Sequence, residues 1–288
     1  MADFILVDAH VHLYRTQEEG QREKTGYQVW EYGDQADVHE TDCVGTVGEL
    51  LDQMTTTGIS KAVVVNLFSA QVNRQIAIEA LPDKLTESER GRRLADIDAG
   101  IREDIISFNR WNCDIAIQNP GLVPFVGADV NALPGNQCAE HIRDMIENHA
   151  AAGVKLHGAF QGFDMSDERL WPTYQVCQEL GIPIIAHAGP DRDSNGFAEP
   201  RAFARMLKSF PQLRVVVAHL GGGTWNQTLE IAQAFDNAYF DCCEIIEWTQ
   251  STHGPSDQQL AQLIRDIGTD RVMMGSDFPW YDLDHSID

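Results

Sequence analysis

Short apolar runs recur along the chain, each closed by polar or glycine residues. They are FILVDAHVH (4–12), KAVVVNLF (61–68), GLVPFVGADV (121–130), GVKLHG (153–158), IPIIAHAG (182–189), LRVVVAHLGG (213–222), NAYFDCCEI (237–245) and RVMMGSDFPW (271–280). Most are continuous in Val, Ile, Leu and Ala rather than alternating. Strands of a parallel sheet covered on both faces read this way. Helical patterns fill the gaps. TVGELLDQMTTTG has Gly58 as its stop, CAEHIRDMIENHAAAG is expected to end at Gly153, and DERLWPTYQVCQELG at Gly181. EPRAFARMLKSFP, TWNQTLEIAQAF and DQQLAQLIRDIG precede the last three strands. The alternation predicts a (β/α)8 TIM barrel as a single domain over residues 1–288. An open doubly wound sheet is the alternative, but no GxGxxG follows the first strand.

Two connections exceed what a barrel needs. Residues 13–45 follow strand one and carry Tyr14, Tyr27, Trp30 and Tyr32. Residues 69–119 follow strand two and contain a long helical stretch. Both are expected over the C-terminal face, where barrel enzymes build their sites. After strand eight, YDLDHSID supplies at most the start of an eighth helix. The final helix is therefore expected to be truncated, or replaced by another subunit.

Composition narrows the partners. The formal charge is −23, with 43% hydrophobic and 23% charged residues. So acidic a surface repels phosphate backbones and anionic lipid, which argues against nucleic-acid and membrane partners. The start of the chain lacks a basic region followed by a long apolar stretch, and no later run reaches 18 apolar residues. No signal peptide or membrane span is expected. The six cysteines form no CxxC pair; reduced thiols and a cytoplasmic location are expected. A homo-oligomer remains open.

Metal-capable groups stand at the ends of the apolar runs. His10 and His12 are two apart on one strand, so they share a face. His187 ends IIAH, His219 ends VVAH and Asp277 ends MMGSD. Helix capping would explain Asp277 alone; it does not explain four strand ends at once. Convergence at the barrel mouth points to one divalent ion. Lys155, His157 and Trp280 follow the same strand ends and are candidates for substrate contact. His39, His141, His149, His253 and His285 receive no role. Arg192 and Arg201 could hold a substrate carboxylate. Cys242 and Cys243 should face opposite ways, with no local base to activate either.

In the order DAHVH, GVKLHG, IIAHAG, VVAHLGGG and GSDFPW, the chain resembles the amidohydrolase superfamily. The resemblance is to the branch of metal-dependent hydrolases and aminocarboxymuconate-semialdehyde decarboxylases, and it runs from Asp8 to Trp280. It implies a metal held by His10, His12, His187 and Asp277, with His219 catalytic rather than ligating. Zinc is the first expectation, manganese the second. Some superfamily members carry a carboxylated lysine near the place of Lys155; a substrate-contacting or outer-sphere cation is the expectation here. Hydrolysis of a small amide, lactone or ester by metal-activated water is the leading expectation, with Asp277 as proton acceptor. Non-oxidative decarboxylation of a small aromatic or muconate-like acid is the runner-up. An inactive barrel serving as a binding protein is the third reading.

Overall fold

The computed structural model describes residues 5–31, 41–190, 194–249, 251 and 254–286. Eight strands form one sheet in sequence order, each parallel to the next: β1 (Val7–Val11), β2 (Lys61–Val65), β3 (Leu122–Gly127), β4 (Gly153–Leu156), β5 (Ile184–Ala186), β6 (Val215–Val217), β7 (Ala238–Asp241) and β8 (Val272–Met273). All eight apolar runs become strands, each shorter than its run because the polar ends turn into loops. The sheet closes on itself. Ala9 N donates to Met274 O at 2.9 Å, Asp277 N to His10 O at 2.9 Å and His12 N to Phe278 O at 2.6 Å, and Val11 pairs with Phe278. The TIM barrel expected from the alternation is the fold observed.

Helices cover the outside. They are α1 (Gln17–Glu31), α2 (Val47–Thr57), α3 (Ala70–Glu79), α4 (Glu87–Gln118), α5 (Gln137–His149), α6 (Gly158–Gln161), α7 (Trp171–Leu180), α8 (Ala204–Ser209), α9 (Thr228–Ala234) and α10 (Asp257–Ile267). Their ends follow local chemistry. Thr46 with Glu49, Thr86 with Glu89, and Ser256 with Gln259 make reciprocal capping boxes at α2, α4 and α10. Gly58 and Gly181 end α2 and α7 in left-handed backbone, at φ 77° and 67°. Gly153 does not end α5. That helix stops at His149 with Ala150 left-handed, and Gly153 opens β4. Three small residues separate the two elements, so no glycine is needed at the cap.

The segment 69–119 is only half an excursion. The C-terminal half of α4 buries Ile101, Ile105, Phe108 and Ile115 and serves as the barrel's own cover for β2 and β3. Asn112 Nδ2 donates to Val64 O at 3.2 Å and Phe125 O at 2.9 Å, and Asn109 exchanges hydrogen bonds with the Gly127 backbone. These amides lock the helix to the strands beneath it. After β8 a single 3-10 turn spans Leu283–Ser286, and buried Leu283 packs with Leu50 and Met54.

Alternation separates two apolar layers. Val126, Val154, Ile184, Val215, Val217 and Phe240 face the helices. Val65, Phe125, Ile185, Val216 and Ala218 fill the barrel interior, with Tyr239 and Met273 packed against them. Gly153 stands on the interior face because the Phe125 ring takes the room a Cβ would need. Gly153→Ala is therefore expected to cost about 1–3 kcal/mol through overpacking, read as a lower urea midpoint. Adding Phe125→Leu should recover part of the loss. An unchanged midpoint in the single variant would contradict this packing.

Candidate metal centre

The interior parity that buries Ile185, Tyr239 and Met273 carries on past the strand ends. Two residues beyond Ile185 stands His187, and two beyond Tyr239 stands Asp241. Four beyond Met273 stands Asp277. From β1, His10 and His12 enter the same space, and from β4 Lys155 and His157 do. His219 would break the rule, since Val217 faces the helices. The backbone corrects this: His219 and Leu220 take left-handed conformations, at φ 55° and 46°. Its ring then lies 5.0 Å from that of His10 and 4.8 Å from that of His187.

His10, His12 and Asp277 form one set of ligand atoms within 4.8 Å of one another. Asp277 Oδ1 lies 3.3 Å from His12 Nε2 and 3.6 Å from His10 Nε2, yet it is buried without a well-formed hydrogen bond. Two further sets exist among the described residues: His10 with His219 and Cys243, and His219 with Glu244 and Asp277. His187 belongs to none of them. Its ring stacks on His157 at 3.8 Å between centroids. Trp280 meets His12 edge-on at 5.1 Å and packs with Leu67 and Phe160. A cavity of about 90 Å³ opens beside His187 and His219, walled by Ile245 and Trp248.

Asp241 orients much of this centre. Its Oδ2 accepts a hydrogen bond from His10 Nδ1 at 3.0 Å, while Oδ1 accepts from His219 N and Cys243 Sγ, both at 2.8 Å. The bond fixes the His10 tautomer and leaves Nε2 as the basic nitrogen. Lys155 Nζ donates to that nitrogen at 2.8 Å. Asp8 joins the two seam strands, its Oδ1 accepting from His10 N and Ser276 N at 3.0 Å each. Gly275 leaves room between the Cβ atoms of His10 and Cys243, each 3.1 Å from where its own Cβ would be.

Burial sets the charges. Desolvation, then the nearby Lys155, pushes His10 down to about 3. Desolvation likewise lowers His12, and it takes His157 and His187 well below the ordinary imidazole value. Neutral imidazole is the form that binds a metal. Burial would raise Asp277, but the close approach of His12, then of His10 and His219, outweighs it and holds the carboxyl below its ordinary range. Burial also lowers Lys155. The donor set of neutral imidazoles, one ionised carboxylate and an unsatisfied buried oxygen fits a divalent cation.

Three site residues escaped the sequence reading, Asp8, Asp241 and Glu244, and Cys243 was set aside there for want of a local base. Asp241 had a legible signal, since it ends an apolar run as His187 does. Cys243 does have a base beside it: its Sγ lies 3.1 Å from His219 Nδ1. Burial, then Asp241, raises the thiol well above its ordinary value, so it acts as a donor to Asp241. Cys242 packs outward against the main core, as adjacency required. Exposed Arg201 pairs with Glu230. Arg192, His39 and His253 lie outside the described residues.

The amidohydrolase family profile matches residues 7–288, and the chain belongs to that family. It is 25% identical over 190 residues to the 2-amino-3-carboxymuconate-6-semialdehyde decarboxylase of Dictyostelium discoideum, covering 54% of this chain and 51% of the relative. The chain's match thus spans about half of that protein. Solved structures agree on the fold. An uncharacterised TIM-barrel protein of Bordetella bronchiseptica superposes with TM-score 0.67 at 16% identity, covering 99% and 90% of the two chains. A manganese-bound 5-carboxyvanillate decarboxylase of Novosphingobium aromaticivorans gives 0.65 at 14%, covering 99% and 90%. A putative 2-pyrone-4,6-dicarboxylic acid hydrolase of Pseudomonas putida gives 0.54 at 14%, covering 97% and 85%. The family contains metal-dependent hydrolases and decarboxylases acting on small molecules. No helix among the described residues is long and apolar enough to cross a membrane.

If Asp241 orients His10, Asp241→Asn should weaken divalent-metal binding by about 10–100-fold with an unchanged circular-dichroism spectrum. Equilibrium dialysis against zinc or manganese reads this directly, and wild-type affinity in the variant would refute the orienting role.

Proposed function

We propose that the chain is a divalent-metal-dependent enzyme for small carboxylic acids, with decarboxylation as its leading reaction. The observation that carries this is Lys155, a buried amine 2.8 Å from His10 Nε2 at the heart of the cluster. An ammonium beside a divalent ion suits a substrate that brings its own carboxylate, which offsets the cost of burying positive charge. The named relative that shares 25% identity is a decarboxylase of such an acid.

His10, His12, His187 and Asp277 are the proposed ligands, zinc or manganese the proposed ion. For all four to meet on one ion, His187 would have to turn from its stack on His157 and Lys155 would have to release His10 Nε2. A bound ion would supply Lewis acidity and an anchor for substrate oxygens. The chain's own groups do the rest. Lys155 pairs with the carboxylate and, by its charge, steadies electron density left on carbon. His219, with Nδ1 3.4 Å from Glu244 Oε2, delivers a proton to that carbon. His157 and Trp280 wall the substrate and exclude water.

Hydrolysis is the second reading, favoured by the unpartnered Asp277 Oδ1. That oxygen is placed to take a proton from water, and one structural relative is the putative 2-pyrone-4,6-dicarboxylic acid hydrolase. A panel of aromatic and muconate-like acids, lactones and amides separates the two. Release of CO2 is expected from an acid. Proton release without CO2 would transfer the assignment to hydrolysis, and inertness of metal-loaded protein toward the whole panel would favour a binding role. His219→Ala should keep the metal and lose about 10²–10⁴-fold in kcat. Loss of the metal would instead make His219 a ligand.

A further inference from the structure

The connections after β2, β3 and β4 enclose a second, larger cleft of about 780 Å³. Gln71 and Arg74 of α3, Arg102 of α4, Asn131, Phe160 and Arg169 line it. None of them belongs to the clustered ligand atoms. Phe160 is the partition: it lines the cleft, and its ring lies 5.8 Å from that of His157.

Three guanidinium groups share this lining with one carboxylate, Asp98. In a chain of formal charge −23 this is a local inversion of sign. Arg74 is already paired, its Nε 2.6 Å from Asp98 Oδ1. Arg169 is held by Asp167 at 2.6 Å and by Asn131 Oδ1 at 2.9 Å. Arg102 differs. Its Nε is shut away from solvent and has no hydrogen-bond partner among the described residues. A buried donor without an acceptor is unfavourable; the half-buried Arg102 side chain lines the cleft, and a turn of it toward a bound oxyanion would give Nε its acceptor. The floor is built rather than open. Gln71 Nε2 and Asn131 Nδ2 both donate to the Gln161 carbonyl, tying the three connections together.

We infer that this cleft binds the carboxylate or phosphate group of a small molecule, with Arg102 as its anchor and Arg74 and Arg169 at its flanks. The guanidinium fork matches either planar or tetrahedral oxyanions. Because no lining residue is a clustered metal-ligand candidate, the inference stands apart from the reaction proposed above.

Titration calorimetry of the purified full chain with succinate and with inorganic phosphate tests it, before and after chelator treatment. Saturable binding of at least one probe is expected under both conditions; the tighter probe identifies the oxyanion. Arg102→Gln should weaken that binding about tenfold or more, with an unchanged Tm. Arg143→Gln, on the exposed face of α5, should leave it within about twofold. Should Arg102→Gln not fold, Arg102→Lys keeps the charge but not the fork, with an expected loss of about threefold or more. Absence of saturation with both probes, wild-type affinity in the folded Arg102 variant, or binding abolished by the chelator would overturn the inference. The last result would place the anion on the metal centre instead.

Discussion

The seam that closes the barrel governs everything built at its mouth. Asp277 N donates to His10 O, and His12 N donates to Phe278 O. Asp8, between them in the fold, accepts from both His10 N and Ser276 N. These bonds set the first strand against the last in a fixed register. With that register in place, the Asp277 carboxylate must lie against the two imidazoles of β1. Without it the three ligand atoms would belong to opposite edges of an open sheet. Asp8 also shows what this costs. Its full burial raises its carboxyl to about 6 despite the hydrogen bonds that favour the charge. The protein thus keeps a titratable group at its seam.

Much of the fold was legible because strand spacing and strand composition are local signals. Eight apolar runs separated by helical patterns define a parallel sheet without knowledge of any contact. Helix ends marked by Thr46, Gly58 and Gly181 were equally local. Gly153 misled because a glycine at a helix-to-strand junction has two uses. One is the left-handed cap, which Ala150 takes here; the other is room for a neighbour, here the Phe125 ring. Only tertiary packing separates them. The long segment after β2 misled for a related reason: periodicity marks a helix but not which half of it covers the sheet.

The site was legible where a polar group followed the interior parity of its strand. His187 and Asp277 obey that rule, and so does Asp241. Sequence reading stopped at groups that bind metals directly, so a carboxylate serving the histidines from behind went unseen. His219 is the instructive case. Its position violates the parity, and the chain restores it with left-handed backbone at His219 and Leu220. Glu244 and Asp277 are left-handed as well, at φ 63° each. For residues other than glycine each such turn costs about 1–3 kcal/mol and persists where surrounding structure over-determines it. Three strained turns at the mouth of one barrel mark where the fold gives up stability to aim side chains.

Charge explains why the fold was easier to read than the reaction. Burial lowers the basicity of His10, His12, His157 and His187, while the Asp277 and Asp241 carboxylates oppose the same effect of burial on Lys155. That arrangement serves any chemistry in which a cation holds an anionic substrate, and loss of CO2 and attack by water both begin so. They diverge in the bond that breaks and in where the proton goes: a C–C bond breaks and carbon is protonated in one, while in the other water adds, giving up a proton, and the leaving group departs. In the roles proposed for them, His219 and Asp277 stand on opposite sides of that choice, and both belong to one cluster of ligand atoms. The reaction therefore lies with the substrate admitted to the centre rather than with the ligands themselves.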